Sequence, residues 1–261
     1  MGILNATPDS FSDGGQFRSP KDAIAQAERM LADGVDLIDI GGESTRPGAE
    51  PIELQEELDR VLPVIEALKD CGVPLSIDTY KSETMRRALH AGVDCVNDIW
   101  ALRQTGAVDA VLESQNCGIV LMHMQRDPQT MQFNPEYINV IAEVKEFLKD
   151  RADFLISSGI ANDRIAIDPG FGFGKSLEHN LNMLTNFAEF SSLGFPVLAG
   201  ISRKSMIGKI TGKDTNDRVA PSIAAAIMAA DRGAAIVRVH DVAQTVDALK
   251  LWEAIQVDMS A

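Results

Sequence analysis

One recurring unit limits the folds available to this chain more than any other feature. LADGVDLIDI (31–40), LHAGVDCVNDI (89–99) and ADRGAAIVRVHD (230–241) each read as a helix end, a glycine, then a short apolar strand closing on a polar residue. Glycine suits the position just past a helix because it takes a left-handed backbone without steric cost. The same grammar predicts strands at Gly2–Leu4, Val35–Ile40, Pro74–Ile77, Asp94–Val96, Gly118–Met122, Ile165–Ile167, Pro196–Ala199 and Ala235–Val239. Between them lie stretches with apolar residues at helical spacing, among them AIAQAERMLA, EVKEFLKDRADFLISSG and SIAAAIMAADRG. Short continuous apolar strands alternating with helices imply a parallel sheet covered on both faces. Eight units in 261 residues leave about 33 each, as a closed (β/α)8 TIM barrel requires. An open doubly wound sheet is the competitor. No Gly/Ser-rich linker or charge run divides the chain, so residues 1–261 read as a single α/β domain.

Composition narrows the partners. A formal net charge of −14 argues against a nucleic-acid surface, although a few converging basic residues could still bind an anionic ligand. No apolar run reaches the length of a membrane span, and no signal peptide precedes the first strand. Cys71, Cys95 and Cys117 form no CxxC pair and read as buried reduced thiols of a cytoplasmic protein.

In a barrel, the C-terminal strand ends converge on one mouth. Here they carry Asn5; then Glu43, Thr45 and Arg46; then Asp78, Asn97, His123 and Asp168; then Ser202 to Lys204; and finally Arg238 and His240. Asp78, Asn97, Asp168 and Lys204 suit a flat heterocycle with fused donors and acceptors, since a carboxylate takes two parallel N–H bonds from an amidine-like edge. Thr45, Arg46, Arg238 and His240, with Asn5, suit a phosphate-bearing group. IAIDPGFGFGKS (165–176) superficially resembles a nucleotide-binding loop, but Pro169 holds the first glycine position, where a backbone N–H is needed.

MGILNATPDSFSDGG, DIGGESTRPGA, SIDTYK, VNDI, IDPGFGFGKS, GISRKSMIG and VRVHDV, in that order from Met1 to beyond His240, resemble the dihydropteroate synthases, the pterin-binding folate-pathway enzymes inhibited by sulfonamides. The resemblance implies a TIM-barrel transferase, usually a homodimer. It would join 6-hydroxymethyl-7,8-dihydropterin diphosphate to p-aminobenzoate and release pyrophosphate. By that resemblance Asp78, Asn97, Asp168 and Lys204 hold the pterin, with Met122 lining its slot. Thr45, Arg46, Arg238 and His240 bind the diphosphate, and Asn5 ligates Mg²⁺. Ser202 and the amides opening the following helix receive the p-aminobenzoate carboxylate, flanked by Pro47 and Phe173. Lys204, Arg238 and Asp168 carry the catalysis, an SN1-like substitution shielded by loops Thr7–Gly15 and Glu43–Pro51.

Blander readings attach to other residues. Lys175 reads as a solvated lysine at a helix start, His90 and His179 as solvated, and Ser82 as a helix cap. His123 reads as a mouth residue, Met122 and Met124 as packing of the barrel top, and Asp9 as a loop contact. Family members usually begin upstream of the G-I-L-N strand, often with a hairpin beneath the barrel; either residues precede Met1 or the bottom is closed differently. Two rival functions are a pterin-binding methyltransferase with a corrinoid partner, which needs no diphosphate site, and a non-catalytic binding subunit.

Overall fold

The computed structural model describes residues 1–6, 20–44 and 48–259. Among them, eight strands follow one another: β1 Gly2–Asn5, β2 Ile38–Gly41, β3 Leu75–Asp78, β4 Cys95–Asp98, β5 Gly118–Met122, β6 Ile165–Asp168, β7 Leu198–Ala199 and β8 Ile236–Val237. The helices are α1 Pro20–Ala32, α2 Leu54–Leu68, α3 Ser82–Ala91, α4 Ala107–Leu112, α5 Val140–Ser157, α6 Leu177–Thr185, α7 Ala188–Ser191, α8 Ser205–Thr211, α9 Val219–Asp231 and α10 Val242–Met259. Each expected strand is present, within a few residues of its expected ends.

Strands β1 to β6 pair in chain order and in parallel, as do β7 and β8. Two parallel bridges join the pieces into a ring, Ile167 to Val197 and Gly2 to Val239. Ile3 N–H donates to Val239 O at 2.9 Å and Val239 N–H to Met1 O at 3.0 Å. The sheet therefore has no open edge at this seam, and the doubly wound alternative falls. The repeat glycines Gly34, Gly92 and Gly233 have φ of 84°, 111° and 94°, the left-handed turn from helix to strand that the repeat requires.

Because strand side chains alternate, every second residue points into the ring. Leu4, Ile38, Ile40, Leu75, Ile77, Val96, Ile119, Leu121 and Ile167 belong to the large core shared with the helices. The opposite parity divides along the barrel. At one end Met1, Val120 and Leu198 pack with Leu37, Cys95, Ala166 and Ile236. One step further towards the C-terminal ends, the same parity gives Ile3, Asp39, Ser76, Asn97, Met122, Asp168 and Arg238. The ring is thus plugged with apolar side chains below and lined with polar ones above.

Two local expectations change. Ser82 is the first residue of α3; Lys81 holds the cap position and makes no side-chain cap bond. His179 is half-buried rather than solvated, because Ser176 Oγ accepts His179 N–H at 3.1 Å while His179 Nδ1 accepts Ser176 N–H at 3.2 Å. This reciprocal cap opens α6. Replacing Ser176 with Ala is expected to cost about 1 kcal/mol of stability, read as a lower urea midpoint. His90 is exposed as expected, and all three cysteines are free, although only Cys117 is fully buried.

Candidate active site

Strand register aligns the first polar residues. Asn5 pairs with Gly41, Gly41 with Asp78, and Asp78 with Asn97, one row across four strands. On the far side Met122 pairs with Asp168. Asp78, Asn97 and Asp168 are all buried. Period two thus turns four separate sequence positions into one lining.

Arg238 binds this lining together. Its Nε donates to Asp39 Oδ2 at 2.6 Å and its Nη2 to Asp78 Oδ2 at 2.7 Å. Asn97 Nδ2 donates to the same Asp39 oxygen at 3.0 Å. The division into a pterin group and a phosphate group therefore does not hold as a spatial separation: Asp78, Asn97 and Arg238 form one hydrogen-bonded network. Its centre is Asp39, absent from the sequence-based candidates although it is the lone charge inside LIDIG and completely buried. Burial pushes Asp78 up to about 7, with Arg238 pulling the other way and the charge of Asp39 adding to the rise. Burial also disfavours the charged guanidinium, but the two carboxylates outweigh it and hold Arg238 above its ordinary value. Asp39 Oδ1 and Asp78 Oδ1 are buried with no hydrogen-bond partner among the described residues.

Across the mouth, Asp168 Oδ1 accepts Gly170 N–H at 2.7 Å. A point above Gly200, where a Cβ would stand, lies 3.9 Å from Asp168 Oδ2 and 3.8 Å from Lys204 Nζ. Lys204 donates to Phe171 O, and its Nζ stands 4.6 Å from the centroid of the Phe173 ring. Burial lowers Lys204 to about 8 against the supporting charge of Asp168. Burial raises Asp168, and Lys204 together with the Gly170 N–H restrains it. Asp168 and Arg238 each feel the other's charge, so both sides share one cup.

The last two strands are fastened at their tips. Ser202 Oγ lies 3.0 Å from His240 Nδ1 and accepts His240 N–H at 3.2 Å. Beside them Arg203 makes a two-pronged ion pair with Asp241, Nε to Oδ2 at 3.0 Å and Nη2 to Oδ1. The helix that follows, α8, spans seven residues, so its amides offer a short dipole and Ser202 and Lys204 carry the polarity there.

Several expected residues fall elsewhere. Thr45, Arg46, Pro47 and Asp9, with loop Thr7–Gly15 and the tip of loop Glu43–Pro51, lie outside the described residues. Glu43 is engaged by the protein itself: Tyr80 Oη donates to Oε1 at 2.8 Å, and Lys81 Nζ pairs with Oε2. Lys81 also pairs with Glu57 of α2 at 3.0 Å, fastening the start of α3 to α2. Met122 and Met124 pack with Ile99 and Met131 against Tyr80, Trp100 and Phe173. His123 is buried against Phe147 and Tyr137 rather than placed in the mouth. Lys175 is the largest departure: it is 3% exposed, and its Nζ reaches His123 Nδ1 at 2.9 Å and both Gly170 O and Phe173 O at 3.0 Å. The glycine loop curls around the ammonium, which a spacing argument could not register.

The described residues contain no cluster of three His, Cys, Asp or Glu side chains able to hold a metal alone. A single amide oxygen, Asn5 Oδ1, stands in the Gly41–Asp78 row, 3.8 Å from where a Gly41 Cβ would be. That set fits Mg²⁺, which is commonly bound by one or two protein oxygens with water and substrate phosphates, and does not fit an all-protein cage.

A model of the pterin binding enzyme family matches residues 1–240. The chain belongs to this family. Within the pterin binding enzymes it stands among the dihydropteroate synthases, transferases of folate biosynthesis. It is 49% identical to dihydropteroate synthase of Haemophilus influenzae over 97% of this chain and 92% of that protein. Identity to the Escherichia coli enzyme is 46%, over 97% and 90%. Dihydropteroate synthase of Burkholderia cenocepacia, solved with 7,8-dihydropteroate, superposes with a TM-score of 0.91 at 52% identity, covering 99% of this chain and 91% of that one. The Yersinia pestis enzyme, solved with a sulfonamide drug, gives 0.94 at 45% identity, covering 98% and 93%.

Proposed function

We propose that this cup joins 6-hydroxymethyl-7,8-dihydropterin diphosphate to p-aminobenzoate by a dissociative substitution. The observation that carries the reading is Asp78 Oδ1, a buried carboxylate oxygen with no partner among the described residues, in the same lining as Asn97 and Arg238. Such an oxygen costs roughly 1–3 kcal/mol until a donor reaches it. A pterin edge supplies donors to Asp78 and Asp168, while Lys204 and Asn97 meet its acceptors. Arg238, His240, Thr45 and Arg46 bind the diphosphate. Phe173 and Pro47 flank the p-aminobenzoate ring, and Ser202 takes its carboxylate.

The methylene C–O bond breaks with its electron pair leaving on the diphosphate. The electron-rich dihydropterin spreads the resulting positive charge, and the neutral arylamine then forms the C–N bond and releases a proton. No strong base is required, because the amine is already unprotonated near pH 7. Arg238, held charged by Asp39 and Asp78, stabilises the departing anion. Asn5 would hold Mg²⁺, which when bound supplies further neutralisation of the diphosphate. Carboxylates on the pterin side suit a cation forming there.

This reading includes one domain across residues 1–261, a homodimer and a cytoplasmic setting. Exposed Met228 on α9 and Leu251 and Ile255 on α10 offer apolar surface for self-association, and three free thiols suit a reducing compartment. No helix among the described residues is long and apolar enough to cross a membrane.

Calorimetric titration tests the function. p-Aminobenzoate is expected to bind well only with pyrophosphate and Mg²⁺ present, because the anion site must fill first. Equal binding without them overturns the ordered reading. Failure of p-aminobenzoate to drive pyrophosphate release from the pterin diphosphate overturns the reaction itself and favours a pterin-binding methyltransferase.

A further inference from the structure

Lys175 is a buried lysine that the reaction above leaves without a task. Its ammonium has three N–H groups, and three acceptors stand at bonding distance: His123 Nδ1 at 2.9 Å, Gly170 O at 3.0 Å and Phe173 O at 3.0 Å. His123 O at 3.4 Å completes the shell. Burial pushes Lys175 well below its ordinary value, and among the described residues no carboxylate pairs with it; Asp168 opposes the shift only as a nearby charge. An apolar residue of the same length would take this donor from Phe173 O and leave Gly170 O with the Phe173 N–H alone, at 3.1 Å.

The surroundings leave little freedom. A Cβ on Gly170 would fall on His123 O, and one on Gly174 would stand 2.7 Å from Gln125 Cβ, so the loop lies directly on the chain leaving β5. Tyr137 Oη donates to Gly174 O at 2.9 Å, and Gln132 Nε2 donates to Gly172 O. His123 is wedged edge-on against Phe147, ring centroids 4.9 Å apart. For Nδ1 to accept from an ammonium, the ring must be neutral with its proton on Nε2. Burial and the neighbouring Lys175 charge both keep it so.

What the loop carries explains the pin. Phe171 O receives Lys204 Nζ, the Lys204 stem passes over Gly172 at 3.2 Å from its Cβ position, and the Phe173 ring lies beside Nζ. Asp168 is held chiefly by its own strand pairing, and its Oδ1 also accepts Gly170 N–H from the start of the loop at 2.7 Å. We infer that Lys175 is a positioning residue for the p-aminobenzoate side of the mouth, acting through the 170–174 loop that it and His123 hold in place. The inference rests on the reaction proposed above.

Lys175→Met keeps the stem and removes the donor. Calorimetry should show p-aminobenzoate affinity, measured with pyrophosphate and Mg²⁺, falling about tenfold or more, and pterin affinity, which the loop reaches only through Lys204 and Asp168, falling several-fold less. In turnover, KM for p-aminobenzoate should rise more than kcat falls. Parallel losses for both ligands, or no change in either, overturn the inference. If Lys175→Met does not fold, Tyr137→Phe removes only the hydroxyl bonded to Gly174 O. It should weaken p-aminobenzoate about threefold and leave pterin unchanged, and no selective loss there overturns the inference as well. A parent protein that binds no p-aminobenzoate with pyrophosphate present overturns the functional reading and this one with it. A parent that binds, beside a variant that binds equally well, overturns this one alone.

Discussion

Asp168→Asn is expected to weaken pterin binding by about 30- to 100-fold, roughly 2–3 kcal/mol, with the fold intact. The carboxylate does two jobs that an amide cannot share. Oδ1 accepts Gly170 N–H at 2.7 Å and opens the glycine loop, while Oδ2 faces the Lys204 ammonium over Gly200. Asparagine keeps one acceptor; if that oxygen stays with Gly170, its NH₂ group meets both the ammonium and the pterin donors. The pH profile gives an independent readout. Lys204 titrates near 8 because burial is only partly opposed by Asp168. An activity that needs the ammonium is lost as pH rises through that value. Without the Asp168 charge the Lys204 value drops further, so the alkaline limb should move to lower pH. Unchanged pterin affinity, measured by calorimetry, would remove Asp168 from the pterin site.

The barrel was legible because its two governing periods are written in short stretches. The helix–glycine–strand repeat fixed the alternation of elements, and the strand ends fixed which side chains could meet at the mouth. Pairing inside that mouth was not legible. Arg238 and Asp39 are 199 positions apart, and their contact exists only because the ring closes β8 on β1 and brings β2 alongside. Asp39 did leave a trace, as an ionisable residue on the inward parity of a wholly buried strand. Such a group needs a partner or a proton, and asking for the partner would have found Arg238. Lys175 left no such trace. A lysine before a serine-capped helix is ordinarily solvated, and its burial is decided by three glycines that let the chain fold back over it. Backbone carbonyls, invisible to any residue pattern, are most of its coordination.

Asp39, Asp78 and Arg238 also set the molecule's electrostatic balance, which makes the loss of the arginine the second large effect. Arg238→Met should cost about 3–5 kcal/mol of stability, the scale for stranding the partners of a buried ion pair. The sign of its pH dependence follows from the carboxyls left behind. Asp78 already sits near 7 in the folded chain against an ordinary 3.8, because burial favours its protonated form. A carboxyl whose folded value is raised stabilises the fold most below its unfolded value, and that contribution is lost as pH rises through the folded value. Removing Arg238 raises the folded value further, so the variant should go on losing stability above about pH 7, where the contribution of Asp78 in the parent levels off. The deficit should be steady below about pH 7 and grow above it, read from urea midpoints at pH 6, 7, 8 and 9. Adding Asp39→Asn and Asp78→Asn to Arg238→Met should recover much of that stability at pH 8, since neutral amides tolerate the apolar setting better than unpaired anions. Pyrophosphate release should stay lost in the triple variant, because the guanidinium that meets the leaving group is still missing. A deficit independent of pH would mean that Arg238 acts by packing alone, and recovery of turnover in the triple variant would take it out of the diphosphate site.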